Sequence, residues 1–467
     1  MRAQSPDFSP GEALQNRITE GPIWRQLLSF FFPILLGTFF QQLYNTVDAI
    51  IVGNFVGKEA LAAVGGPTAT LVNLLINLFV GLSSGATVIV AQHYGARQME
   101  ELRRTVHTAV ALALAAGGAI TAAGLLLARP VLTAMGTPEE VMAYALTYLR
   151  IYFLGTVATC LYNIGSSVLR AVGDTRRPLY FLMAACGINI LLDLLFVVVL
   201  HLEVLGVALA TVLSQVVSAG LVLLVLCHPA SLFCLHWSEI RFSPDILRSI
   251  VRIGLPTGLQ SDMYTFSNML IQSCVNSFGT DAMAAWTAFG KLDAFYWMVS
   301  AAFGISVTTF ASQNFGAQRY DRVRKSTWVC LVMALISSLL FSLLYCAFPQ
   351  PLLRIFSSDQ GVISNGMRIL WIMAPFYCTF IFVEVLSGVI RGTGESLRPM
   401  LLTCGGVCVL RIVWVFTVLP HHRTLDTLIA NYPITWCITS VLFLLYYFRG
   451  HWMERQIRKL GHTVSSN

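Results

Sequence analysis

The chain reads as an all-α integral membrane protein. About twelve transmembrane helices form two six-helix bundles, related by pseudo-two-fold symmetry along the membrane normal. Three observations predict this. Hydrophobic residues make up 56% of the 467 and charged residues 11%, against about 25% charged in ordinary soluble domains. The apolar residues gather into blocks of roughly 20 or more, long enough as helices to cross the ~30 Å hydrocarbon core. The third observation is a repeat. Ala-Gln-His-Tyr-Gly-Ala at 91–96 returns as Ser-Gln-Asn-Phe-Gly-Ala at 312–317, and LRAVGDTRRP at 169–178 returns as IRGTGESLRP at 390–399. Both pairs lie 221 positions apart, and Pro33 and Asn45 match Pro256 and Asn268 at 223. A duplicated, strongly apolar chain is the signature of a membrane transporter.

The elements follow in order. The first block, 26–50, carries QQLYNTVDAIIVG, and the second, 61–90, runs into the first Gln-Gly motif and the basic residues Arg97, Arg103 and Arg104. Blocks three to six fall near 104–128, 141–168, 179–200 and 206–227. The fourth ends in GDTRRP, whose Gly makes a turn and whose Pro opens the fifth. The second half repeats the plan near 250–276, 284–312, 327–348, 364–390, 400–420 and 427–448. The expected domains are a segment 1–25, a bundle 26–228, a linker 229–249, a bundle 250–448 and a tail 449–467. Strands are excluded, because lipid-facing barrel strands alternate apolar and polar residues.

Assigning alternate loops to the side of the N-terminus places 22 Lys and Arg there and four opposite, at Lys58, Arg129, Arg354 and Arg423. By the positive-inside rule both termini are cytoplasmic, in an inner-membrane protein. The net charge of +7 is then membrane topology and needs no nucleic-acid partner. The first block is too long for a cleavable signal. Gly53–Glu59 lacks the spacing of a phosphate loop, so an ion gradient is the expected drive. Eleven cysteines without a C-x-x-C read as packing residues, Cys404 and Cys408 included. No cofactor and no enzymatic chemistry are expected.

Charges inside the blocks are the candidate functional residues, since each costs about 2.5–3.5 kcal/mol or more at a helix centre unless partnered or wet. Tyr44, Asn45 and Asp48 share one face of the first helix by their spacing. Asn189 and Asp193 in the fifth helix, and Thr211 and Gln215 in the sixth, repeat the i, i+4 spacing. Three helices thus offer oxygen ligands and a titratable group, as a Na⁺ site or a proton relay requires. The alternative is a hydrogen-bond network holding helices together. In the second half Ile271 and Trp414 stand where Asp48 and Asp193 stand in the first. Its acids are Asp262, Asp293 and Glu384, with Asp293 beside Lys291 and Arg411 expected opposite Glu384, either as internal salt bridges or in cation recognition. Arg150 and Arg368 are read as snorkelling or bracing residues. Arg170 and Arg391 are read as structural or gating residues paired with neighbouring acids. Tyr264, Trp286, Phe289, Tyr296, Trp297 and Tyr377 are candidates for a cavity lined by π-faces; an interfacial aromatic belt is the other reading.

QQLYNTVDAIIVG, the Gln-Gly pair, LRAVGDTRRP/IRGTGESLRP, NILLD and GVALAT together resemble the multidrug and toxic compound extrusion (MATE) transporters over about residues 20–450. The closest likeness is to the prokaryotic branch with an acid in the first helix. The resemblance implies two bundles around a central cavity and export of small, hydrophobic, often cationic organic compounds in exchange for Na⁺ or H⁺; since one chain holds both halves, a functional monomer is expected. It implies coupling at Asp48, Asn189, Asp193 and Thr211, with a looser match for Asp262, Asp293 and Glu384. A flippase for lipid-linked precursors, or a metabolite exporter of a related superfamily, is the competing reading. A diphosphate-handling flippase calls for more than the four basic residues found in the blocks. A channel or sensor would need a filter or a signalling domain, and neither pattern is present.

Overall fold

The computed structural model describes residues 17–229 and 231–459, and every regular element among them is helical. The predicted segment 1–25 and tail 449–467 fall partly outside that range. The first repeat comprises α1 (Ile23–Phe55), α2 (Pro67–Gly95, preceded by the short helix Lys58–Gly65) and α3 (Met99–Ala134). Next come α4 (Glu139–Leu154 and Thr156–Ala171), α5 (Arg176–Asp193, continued as a π-helical turn Leu194–Val199) and α6 (Glu203–Cys227). The second comprises α7 (Pro244–Asn276), α8 (Thr280–Gly316), α9 (Tyr320–Ala347) and α10 (Gln360–Met373 and Tyr377–Gly392). It is completed by α11 (Leu397–Thr403 and Leu410–Thr417, joined by the π-helical turn Cys404–Val409) and α12 (Leu425–Arg449). A short amphipathic helix, α13 (Trp452–Lys459), follows.

Ten of these helical stretches are each long and apolar enough to cross a membrane, and the two parts of α4, bent by 50°, count together as an eleventh. The exception is α7. It is 33 residues long, but Gln260, Ser261, Asp262, Thr265, Ser267 and Asn268 lower its hydropathy below that of its counterpart α1.

The duplication is visible in the backbone. Gly173 and Gly394 turn the two GDTRRP/GESLRP loops with φ of 102° and 97°. Arg97 and Gln318, which are not glycine, both take the left-handed region at φ 58°. In each loop the acid staples the next helix: Asp174 pairs with Arg177 at 3.3 Å and Glu395 with Arg398 at 2.8 Å. The acids therefore do not pair with Arg170 and Arg391 as expected. Arg170 donates to Ser167 Oγ at 3.1 Å and Arg391 to Thr308 Oγ1 at 3.2 Å. Arg150 is exposed, and Arg368 pairs at the surface with Asp426.

The chain divides into two compact units. The first runs to Val251 and also takes Ser312–Arg322; the second holds Arg252–Ala311 and everything from Val323 onward. The transfer of Ser312–Arg322 differs from the predicted boundaries, and polar contacts account for it. Gln313 Nε2 donates to the Ala171 carbonyl at 2.6 Å, while Arg322 donates to the carbonyls of Ile18 and Gly21, both at 2.9 Å. Backbones also approach closely: a Cβ on Gly95 would stand 2.8 Å from the Gln313 carbonyl carbon, and one on Gly316 would stand 2.7 Å from that of Gln92.

Candidate functional site

In the first unit α1, α5 and α6 pack against one another. Apolar contacts fix their register: Ile51, Val52, Val197, Val204 and Val207 form one buried cluster with Tyr144 and Tyr148 against it. In lipid such packing, with interhelical polar contacts, replaces the hydrophobic drive between helices. Below that cluster sits the polar stripe. Asp48 is 7% exposed, Thr211 5%, and Asn189 and Asp193 are fully buried. Asp48 faces Asp193, Thr211 and Asn189 closely enough to interact with each. Tyr44, one turn earlier on α1, faces Asp48 and Thr211. Asn45 does not join them; its position on α1 is exposed.

The polar atoms of this cluster are underused by the protein. Both Asp193 carboxylate oxygens, both amide atoms of Asn189, the Thr211 hydroxyl and one Asp48 oxygen are buried without a hydrogen-bond partner, as are Tyr44 Oη and Gln215 Oε1. Buried polar groups are ordinarily paired, so a group of orphans calls for an explanation. Two carboxylates that close repel when both are charged, and a shared proton or a cation between them removes the repulsion. Carboxylate, amide and hydroxyl oxygens are the donor set a hard cation such as Na⁺ takes. The residues present therefore fit either a proton or Na⁺. Tyr148 and Tyr152, stacked at 5.9 Å, wall this cluster and were not among the predicted residues. Their i, i+4 spacing in YALTYLRIY was the available signal.

The second unit is built differently. Asp293 Oδ1 accepts from Tyr377 Oη at 2.6 Å and Oδ2 from Trp297 Nε1 at 2.7 Å. Tyr296 stacks on Tyr377 at 3.9 Å and donates to its carbonyl at 2.8 Å, which fixes the ring that holds the acid. The expected pair of Asp293 with Lys291 is not formed. Positions i and i+2 point to different sides of a helix, and Lys291 is exposed.

Arg411 likewise does not face Glu384. It donates to Asn268 Oδ1 at 3.1 Å, and its guanidinium lies 3.9 Å over the Tyr432 ring. Glu384 has Arg391 as its charged neighbour and packs on Gly304. Tyr264 sits within electrostatic reach of Arg411 and Glu384, and Asp262 is buried on α7. Trp286 packs on Phe289 at 5.4 Å and on Tyr432 at 5.9 Å. Trp286, Trp297, Tyr377, Phe380, Tyr432 and Trp436 thus form a run of packed rings beside Asp293 and Arg411.

Comparison with known proteins agrees with the duplication. The MatE family model matches twice, over residues 33–195 and 256–417. The probable multidrug resistance protein YoeA of Bacillus subtilis (strain 168) is 28% identical over 94% of this chain and 96% of its own length. The FAD transporter of Shewanella oneidensis is 25% identical over 75% of this chain and 78% of its own. Among solved structures, the outward-facing conformation of a multidrug resistance MATE family transporter of the MOP superfamily superposes with a TM-score of 0.87. It is 22% identical and covers 94% of this chain and 98% of that one.

Proposed function

Because the chain belongs to the MATE family of multidrug efflux transporters, we propose that it is a secondary antiporter exporting small organic molecules against a Na⁺ or H⁺ gradient, coupled at Asp48. The observation that carries this reading is the orphaned oxygen cluster of Asp48, Asn189, Asp193 and Thr211 in the first unit. A cation or proton that settles between the two carboxylates changes the charge buried among α1, α5 and α6. The conformation that offers this site most favourably then gains population by the differential affinity. Cargo is drawn along by the same linked equilibrium, with no need for both to touch one carboxylate. Asn189 and Thr211 supply neutral oxygens, and Tyr44 closes the cluster along α1. Both termini lie in the cytoplasm by the distribution of Lys and Arg. Flat hydrophobic compounds suit the aromatic walls, and the charged groups beside those walls select the charge of the cargo.

The test is efflux of aromatic dyes, one anionic and one cationic, from proteoliposomes under an imposed Na⁺ or H⁺ gradient, with wild type, Asp48→Asn and Asp193→Asn. Gradient-driven efflux in wild type, lost in Asp48→Asn, is the expected result. Equal gradient-driven efflux by both variants would refute coupling at this pair.

A further inference from the structure

Arg411 is a buried charge of the second unit that the proposed coupling leaves unexplained. It is 2% exposed on α11, just past the π-helical turn. Among the described residues it takes part in no ion pair. Its contacts are neutral: the Asn268 amide oxygen at 3.1 Å and the Tyr432 ring at 3.9 Å, with Nε buried and without a partner. A buried cation in a membrane span normally pairs with an acid or faces a wet cavity, and otherwise marks a binding function.

The acids nearby are committed elsewhere. Asp293 accepts from Tyr377 and Trp297 and reaches Arg411 electrostatically, without an ion pair between them. Glu384 sits beside Arg391. The charge is also not inherited from the repeat, since Ile190 occupies the matching place in the first half. Conversely the second half has Ile271 and Trp414 where the first has Asp48 and Asp193. At these matched positions the repeats differ in charge, with Asp48 and Asp193 in one and Arg411 in the other.

We propose that Arg411 is an anion-recognising residue, and that the exported compounds carry a carboxylate or phosphate-like group on an aromatic body. The proposal rests on the efflux reading above and names its cargo class. A guanidinium is a planar fork that matches such groups with two parallel hydrogen bonds. Stacking on Tyr432 holds that plane, and Asn268, at an exposed position of α7, ties it to a reachable surface. Trp286, which packs on Tyr432 at 5.9 Å, gives the aromatic body a face to stack on. A cationic cargo would meet repulsion at the same place.

Equilibrium binding to the full chain in nanodiscs of neutral lipid tests it, with carboxyfluorescein as the anionic probe and ethidium as the cationic one. Wild type binds carboxyfluorescein more tightly. Arg411→Gln weakens that binding about tenfold or more, as losing a charge-assisted hydrogen-bond pair should, and leaves ethidium unchanged or tighter. Asn268→Asp, which sets an acid against the guanidinium without removing its packing, gives the same direction and serves if Arg411→Gln does not fold. Tighter ethidium binding by wild type, or equal losses for both dyes in Arg411→Gln, would overturn the proposal. So would anionic binding unchanged in Asn268→Asp. Binding is read without any gradient, so uncoupled transport would sink the antiport reading and leave this result standing.

Discussion

The backbone crossing near Gly95 and Gly316 yields the most quantitative prediction. Each glycine lies against the backbone of the glutamine from the other copy of the motif. A Cβ on Gly95 would stand 2.8 Å from the Gln313 carbonyl carbon and 2.9 Å from its Cα, and one on Gly316 would stand 2.7 and 2.8 Å from the same atoms of Gln92. The carbonyl oxygens of the same two glutamines come nearer still; carbon atoms rest about 3.5–4.0 Å apart, so either alanine must push the segments apart by at least about 1 Å. The obstacle is backbone and has no rotamer to move. Overpacking of this kind costs about 1–3 kcal/mol. An added methyl also weakens the Gln313–Ala171 bond, which holds the same segment. The control is Gly118, in the interior of α3 with nothing within 4 Å of its Cβ position, where alanine should stabilise by about 0.5–1 kcal/mol. Thermal unfolding in one detergent, at one scan rate, should rank the variants Gly118→Ala, wild type, then Gly95→Ala and Gly316→Ala together. The double variant should cost less than the sum, because segments parted by one methyl already make room for the other. A Gly95→Ala midpoint equal to that of Gly118→Ala, or strictly additive costs, would refute the close crossing.

Three further outcomes follow from the geometry. Asp193→Asn should unfold at a higher temperature than wild type in Na⁺-free buffer, because it removes one of two facing buried carboxylates; a lower midpoint contradicts the pairing. Tyr377→Phe strands a carboxylate oxygen of Asp293 and should cost about 1–3 kcal/mol, against about 0.5–1.5 for Tyr345→Phe, which loses a neutral bond to the Leu292 carbonyl. Denaturation of both variants side by side checks the order. The inter-bundle linker is tied to α3: His107 accepts the His236 backbone N–H at 3.2 Å while its other ring nitrogen lies 2.8 Å from the Arg103 carbonyl. His107→Ala should therefore speed tryptic cleavage at Arg241 several-fold and His236→Ala should not, since that donor is main chain; equal rates would remove the tie.

What could be read from the chain alone divides along a physical line. The spans were legible because apolar length is a property of consecutive residues. The polar stripes of α1, α5 and α6 were legible because i, i+4 spacing on an otherwise apolar helix leaves one face to hold them. Pairing was legible only within a turn or two of helix. Asp174 with Arg177 and Glu395 with Arg398 lie three apart and follow from spacing. Arg411 with Asn268 is separated by 143 positions and Tyr377 with Asp293 by 84, and no local pattern encodes which helix faces which.

The same limit explains α7. It was placed among the apolar blocks at 250–276, and its polar residues set it apart from α1. The glycine crossing lies between these cases. Glycine in both copies of the Gln-Gly motif was plain in the sequence, but a missing side chain names no partner, and the contact is made by backbone. For a duplicated membrane chain the informative residues are therefore those where the copies disagree. Agreement, as at Gly173 and Gly394, marks a turn both halves need. Disagreement, as at Asp193 and Trp414 or Ile190 and Arg411, marks where the roles proposed for the two halves part.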